Sequence, residues 1–208
     1  MSTKVKICGI TNLADAQVAV AARADMLGFI FHEKSPRHVT LAAAAEISRQ
    51  LPPEVLRVGV FVNAPEEFVF QAIHACGLNL LQFHGAEPPE YCGQFGLMSM
   101  KAFRMADETV LSELPKYDTA AYLLDAYTPG ELGGTGRQFN WDLAVQARAF
   151  GKPIFLAGGL APVNVAGAIA HVRPFAVDVS SGVEAAPGKK DHAKIRDFIA
   201  HVRQADAA

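Results

Sequence analysis

A thiol, a carboxyl group and a guanidinium are the chemically capable side chains that stand out in this chain: Cys8, Asp125 and Arg37. A thiol serves as a base once ionised, a carboxylic acid delivers a proton, and a guanidinium holds a carboxylate or phosphate by two parallel hydrogen bonds. In the apolar run VKICGI the strand ends at Cys8-Gly9, and the glycine leaves space beside the thiol. A lone cysteine is more often a small buried hydrophobe. That plainer reading is kept for Cys76 and Cys92, which fall on or near helical stretches. Lys6 stands two residues before Cys8, so on a strand both share one face. A cation there favours thiolate over thiol. Asp178 sits mid-strand in FAVDVSS, where a carboxylate needs a partner. A Lys6–Asp178 pair beneath the site is expected.

Asp125 follows the apolar run AAYLL, and no helix comes at once. Instead comes AYTPGELGGTGRQFNW, with Trp141 opening the next helix. Loops of that length are usually lids or binding loops. Gly133, Gly134 and Gly136 allow close backbone approach to a ligand. A strand-end aspartate is often a turn or helix cap instead; a loop that closed as a lid over residues 130–136 would bury Asp125 and raise its carboxyl. Arg37 follows the Ser35-Pro36 turn; a solvated surface arginine is its alternative. Gly158 and Gly159 end one apolar run, and Ser180, Ser181 and Gly182 end another. Small residues there expose backbone N–H groups to an anion. His84 ends LQFH and either hydrogen-bonds a substrate or caps a loop.

Eight short β-rich runs carry these residues, starting at Val5, Met26, Leu56, Asn79, Met98, Ala120, Pro153 and Phe175. Stretches such as LADAQVAVAARA, LAAAAEISRQL and PEEFVFQAIHAC lie between them with helical spacing. Alternation of this kind means parallel βαβ units. Eight of them in 208 residues leave about 26 residues each, which short loops allow. The reading is an α/β chain folded as a single (β/α)8 barrel over residues 1–208, with few insertions. Active sites in that fold gather at the C-terminal strand ends, where the candidate residues stand, and the loops after strands seven and eight often hold phosphate.

Composition narrows the class. Half of the residues are hydrophobic, 19% are charged and the net charge is −2. No basic excess points to nucleic acid, and no apolar run is long enough for a membrane span. Three scattered cysteines suit neither a disulfide framework nor zinc, and the polar start is no signal peptide. A cytoplasmic setting is expected. No metal spacing, GxGxxG turn or P-loop is present.

These segments, in this order, resemble the phosphoribosylanthranilate isomerase family over nearly the whole chain. The resemblance is carried by KICGIT at Lys6, SPR at Ser35, VGVFVN at Val58 and LQFHG at Leu81. It continues in LLDAYTPGELGGTG at Leu123, LAGGLAPVNV at Leu156 and DVSSGVEAAPGKKD at Asp178. Phe83 and Ala86 stand where many relatives would carry Leu and Asp. The resemblance implies an Amadori rearrangement of N-(5-phosphoribosyl)anthranilate in tryptophan biosynthesis, with no cofactor. It implies Cys8 as general base, Asp125 as general acid and Arg37 on the anthranilate carboxylate. The partner is then a small phosphorylated aminosugar, with monomer and homodimer both open. Two other sugar-phosphate barrel enzymes fit less well. An indole-glycerol-phosphate synthase needs a catalytic Lys and Glu, and a histidine-pathway isomerase an Asp at position 8. A non-catalytic phosphate-binding barrel would need neither Asp125 nor Arg37.

Overall fold

A computed structural model describes residues 2–126 and 141–207 of the chain. Eight parallel strands form a closed barrel in sequence order. They are β1 Lys4–Cys8, β2 Met26–Ile30, β3 Leu56–Phe61, β4 Leu80–Phe83, β5 Ser99–Met105, β6 Ala121–Ala126, β7 Ile154–Leu156 and β8 Ala176–Val179. Six fall inside the apolar runs; β1 begins one residue before its run, at Lys4, and β5 runs two residues past its own, to Met105. β1 closes on β8, with Lys6 opposite Asp178 in the register.

The helices follow from local chemistry. α1 (Leu13–Ala21) and α2 (Leu41–Arg49) begin at Asn12 and Thr40, whose side-chain oxygens accept hydrogen bonds from Asp15 N and Ala43 N. α3 (Glu66–Cys76) ends at Gly77, whose φ of 56° suits a residue without Cβ. Then come α4 (Pro89–Gly93), α5 (Trp141–Ala147), α6 (Val165–Val172) and α7 (His192–Ala207).

Two connections depart from plain strand–helix alternation. Between β5 and β6 the described chain forms only the 3₁₀ turns Glu108–Ser112 and Leu114–Lys116. After β8 comes another 3₁₀ turn, Ser181–Val183, and a small antiparallel ribbon of β9 (Glu184–Ala186) and β10 (Lys189–Lys190). This ribbon was not visible in the pattern of apolar runs, and it bears on the site.

Strand alternation splits the core in two. Val5, Ile7, Leu27, Phe29, Leu81 and Phe83 point outward under the helices. Met26, Val58, Leu80, Met100, Leu123 and Phe155 fill the barrel interior. Phe83 belongs to the outer set and packs against Phe61, Tyr91 and Phe95. Its departure from the family pattern therefore lies behind the sheet and leaves the mouth alone.

Candidate active site

Cys8 ends β1 on the interior face, because its outward neighbours Val5 and Ile7 alternate with Lys6 and Cys8. Opposite it in the register stands Gly28. A Cβ on Gly28 would lie 2.8 Å from Cys8 Sγ and 3.2 Å from Lys6 Nζ, so that glycine makes the space the thiol fills. Cys8 is 5% exposed. Beneath it, Lys6 Nζ donates to Asp178 Oδ1 at 2.9 Å, with the lysine fully buried. The expected pair is there. Asp178 faces Lys6 and is almost shut off from the open mouth.

The electrostatics correct one expectation. Burial pushes the Cys8 thiol up from its ordinary value; Lys6 and Lys190 favour the thiolate but do not outweigh burial and the nearby Asp178 charge. Lys6 helps in sign and loses in sum. For Lys6 itself, burial opposes the charge, and the negative neighbours Asp178 and Cys8 overcome it, so the ammonium is held more firmly than usual. Cys76, at the end of α3, and Cys92, in α4, are pushed by burial to about 11 and about 12. Both remain inert thiols.

Asp125 lies on β6 two residues past the inward Leu123 and next to the outward Leu124, and so faces the interior. Its side chain is 30% exposed. His84 Nε2 stands 3.3 Å from Asp125 Oδ2, and the Gln82 amide nitrogen 2.9 Å from His84 Nδ1. The Gln82 amide and the Asp125 carboxylate thus meet the ring at its two nitrogens, one on each side. The loop bearing His84 is pinned from behind. Lys101 Nζ donates to Gly85 O at 2.7 Å and pairs with Glu87, whose carboxylate accepts from Gly85 N and Asn63 N. His84 thus meets Asp125, a role the sequence did not suggest for it.

Arg37 is neither free nor solvated. Its Nε and Nη2 each donate to one oxygen of Glu184 at 2.8 Å, and its side chain is 19% exposed. Glu184 also accepts from Lys190 Nζ at 3.0 Å. Burial would raise the Glu184 carboxyl, but Arg37 and Lys190 outweigh it and hold the group below its ordinary range. Lys190 Nζ further donates to Ser180 O, and Ser180 Oγ donates to Cys8 O.

The small-residue turns after β7 and β8 are in contact. Gly158 and Gly159 adopt φ of 83° and 66°. A Cβ on Gly182 would fall 1.9 Å from Leu160 O. Ser180, Ser181 and Gly182 therefore lie against the β7 turn, beside Cys8. Gly133 and Gly134, and the lid reading of residues 130–136, lie outside the described residues. Among the described residues, no three His, Cys, Asp or Glu side chains stand together to hold a metal, and no helix is long and apolar enough to cross a membrane.

Sequence reasoning passed over Gln82, Arg104, Glu184 and Lys190. Arg104 is the interior-face successor of Met100 and Ala102 on β5, sits opposite Asp125 in the register and is exposed. Its period-two spacing was a usable signal. Glu184 gave none, because its partner Arg37 is 147 residues away.

A family model described as N-(5'phosphoribosyl)anthranilate (PRA) isomerase matches residues 5–201. The N-(5'-phosphoribosyl)anthranilate isomerase of Geobacter sp. (strain M21) is 55% identical over 202 residues, spanning 97% of this chain and 98% of that protein. The crystal structure of phosphoribosyl anthranilate isomerase from Thermotoga maritima superposes with a TM-score of 0.93 at 45% identity, covering 97% and 99% of the two chains. A structure of such an isomerase in complex with reduced 1-(o-carboxyphenylamino)-1-deoxyribulose 5-phosphate gives 0.88 at 42% identity, with the same coverage.

Proposed function

The chain belongs to the N-(5'-phosphoribosyl)anthranilate isomerase family, and from that membership we propose how its own residues divide the work: Cys8 as general base, Asp125 as general acid, Arg37 on the substrate's carboxylate. The reaction is the isomerisation of N-(5'-phosphoribosyl)anthranilate to 1-(2-carboxyphenylamino)-1-deoxyribulose 5-phosphate in tryptophan biosynthesis, an aldose–ketose conversion.

The chemistry asks for a proton donor and a proton acceptor at one sugar. Protonation of the ring oxygen by Asp125 breaks the C1–O bond and leaves an iminium between C1 and the anthranilate nitrogen. That cation acidifies the C2 hydrogen, which Cys8 removes as thiolate. The C–H electron pair becomes the C1–C2 double bond of an enolamine, with the nitrogen as electron sink. Loss of the C2 hydroxyl proton and protonation at C1 then give the ketone, so protons balance and no outside oxidant enters. His84 Nε2 faces Oδ2 of Asp125, which leaves Oδ1 as the oxygen for the substrate. The turns at Gly158, Gly159 and Ser180 to Gly182 would take the phosphate, whose binding holds the reacting carbons in place.

One observation carries this reading. The interior-facing ends of β1 and β6 bring the thiol and the carboxyl to one end of the barrel, beside the paired turns of β7 and β8. The test is turnover, followed by the loss of substrate fluorescence, in Cys8→Ser and Asp125→Asn. Each is expected to lose about 10²-fold or more in kcat with a smaller change in KM. Full activity in either variant would overturn its role.

A further inference from the structure

Two other parts of the chain, the turn after β1 and the β9–β10 ribbon, close on the segment that carries Arg37. Behind it, Gly9 has φ of 75°, and a Cβ there would lie 2.9 Å from Arg37 Cδ. Beside it, the turn of the β9–β10 ribbon presses on the preceding residue: a Cβ on Gly188 would lie 2.9 Å from Pro36 O. Thr11 Oγ1 fixes that turn by donating to Gly188 O at 2.6 Å. Along one edge of the guanidinium runs the Glu184 carboxylate, at 2.8 Å on both oxygens.

A guanidinium has five N–H donors. Glu184 takes the Nε hydrogen and one hydrogen of Nη2, which leaves three donors, two on Nη1 and one on Nη2, at the outer end of the guanidinium. That end is a second fork, suited to another planar carboxylate. The charge count points the same way. Arg37 and Lys190 both pair with Glu184, whose side chain is buried, so two cations share one carboxylate.

We propose that Glu184 is a positioning residue: it holds Arg37 by one edge so that the other edge receives the substrate's carboxylate, and the ribbon that carries Glu184 exists at the mouth for that purpose. The inference rests on Arg37 as the carboxylate contact. The substrate's carboxylate then joins Glu184 as a second anion beside the two cations. Glu184 acts through Arg37 and touches no reacting atom.

The experiment is a double-mutant cycle on kcat and KM with Glu184→Gln, Arg37→Ala and the pair. Glu184→Gln keeps the volume but puts an amide against a guanidinium donor. It is expected to raise KM by about 10-fold or more, with kcat falling much less. In the Arg37→Ala background the same change is expected to do little more, because nothing remains to be positioned. Two inhibitor probes separate positioning from general damage. Inhibition by anthranilate should weaken in Glu184→Gln, while inhibition by inorganic phosphate stays as in the parent; weakening of both would overturn the proposal. Additive KM effects would overturn it too. If Arg37→Ala alone leaves KM unchanged, the carboxylate reading of Arg37 falls and takes the positioning role with it. Should Glu184→Gln fail to fold, Glu184→Asp keeps the charge, is one methylene too short for the fork, and should show the same split.

Discussion

Two influences meet at the sulfur of Cys8. The cations Lys6 and Lys190 draw the proton off, while burial and the Asp178 charge keep it on, and the balance leaves the thiol higher than an ordinary cysteine. A base works only in its deprotonated form. As pH rises toward the raised thiol value, the thiolate fraction grows, so kcat/KM is expected to climb between about pH 6.5 and 8.5 and beyond. A profile flat over that range would remove Cys8 as the base of the free enzyme. At this scale much of the site was legible. Cys8, Asp125 and Arg37 each end or follow a strand, and strand ends are where this fold works. The Lys6–Asp178 pair followed from period-two alternation and from β1 and β8 being neighbours. What stayed hidden were residues defined by distant partners. Glu184 reads as an ordinary surface acid until the fold brings Arg37 to it, and Gln82 means little until His84 turns toward Asp125.

Elements set the precision of these contacts. The turns after β7 and β8 interlock at Gly182, where an added Cβ would collide with a backbone carbonyl that no side-chain rotation can move. Gly182→Ala must therefore push the two turns apart, at an overpacking cost of about 1–3 kcal/mol. Weaker inhibition by inorganic phosphate is the expected result, with Cys8 alkylation by a small reagent unchanged; parent-like phosphate inhibition would show that the turns need not touch. Strands and the longer helices were legible as elements because their apolar periods are long enough to count. The ribbon of β9 and β10 and the 3₁₀ turns between β5 and β6 were not, since elements of two to five residues are too short to show a period. They are fixed by what they touch: Lys190 by Glu184 and Ser180, the ribbon turn by Thr11 and Pro36.

For the molecule as a whole, carboxylates hold the ring closed. Asp25 accepts from Lys4 Nζ, Val5 N and Arg203 Nη2, joining β1 to α7. Asp15 accepts from Lys190 N and His192 Nε2, joining α1 to the ribbon and α7. Against the opposing effect of burial, these hydrogen bonds hold Asp15 and Asp25 below their ordinary range, as Arg37 and Lys190 hold Glu184. With depressed values in the folded state, the unfolded chain binds more protons at acidic pH, so stability must fall as pH falls. The urea midpoint is expected to be steady from about pH 7 to 5 and to drop as pH passes below about 4. A midpoint unchanged down to pH 3 would deny these contacts a part in stability.

The seam between β1 and β8 also gives the protein a history. Lys6 waits for Asp178, and Cys8 for Ser180, across 172 residues in each case. At ribosomal speeds of about 5–20 residues per second, the first strand is out for roughly 10–35 s before its neighbour exists. During that interval β1 is an open edge with a bare thiol, and no half-made chain has a working mouth. The newborn chain is thus the age at which an oxidant or a sticky neighbour can most easily spoil this enzyme; closing the seam ends that exposure and completes the catalyst in the same event.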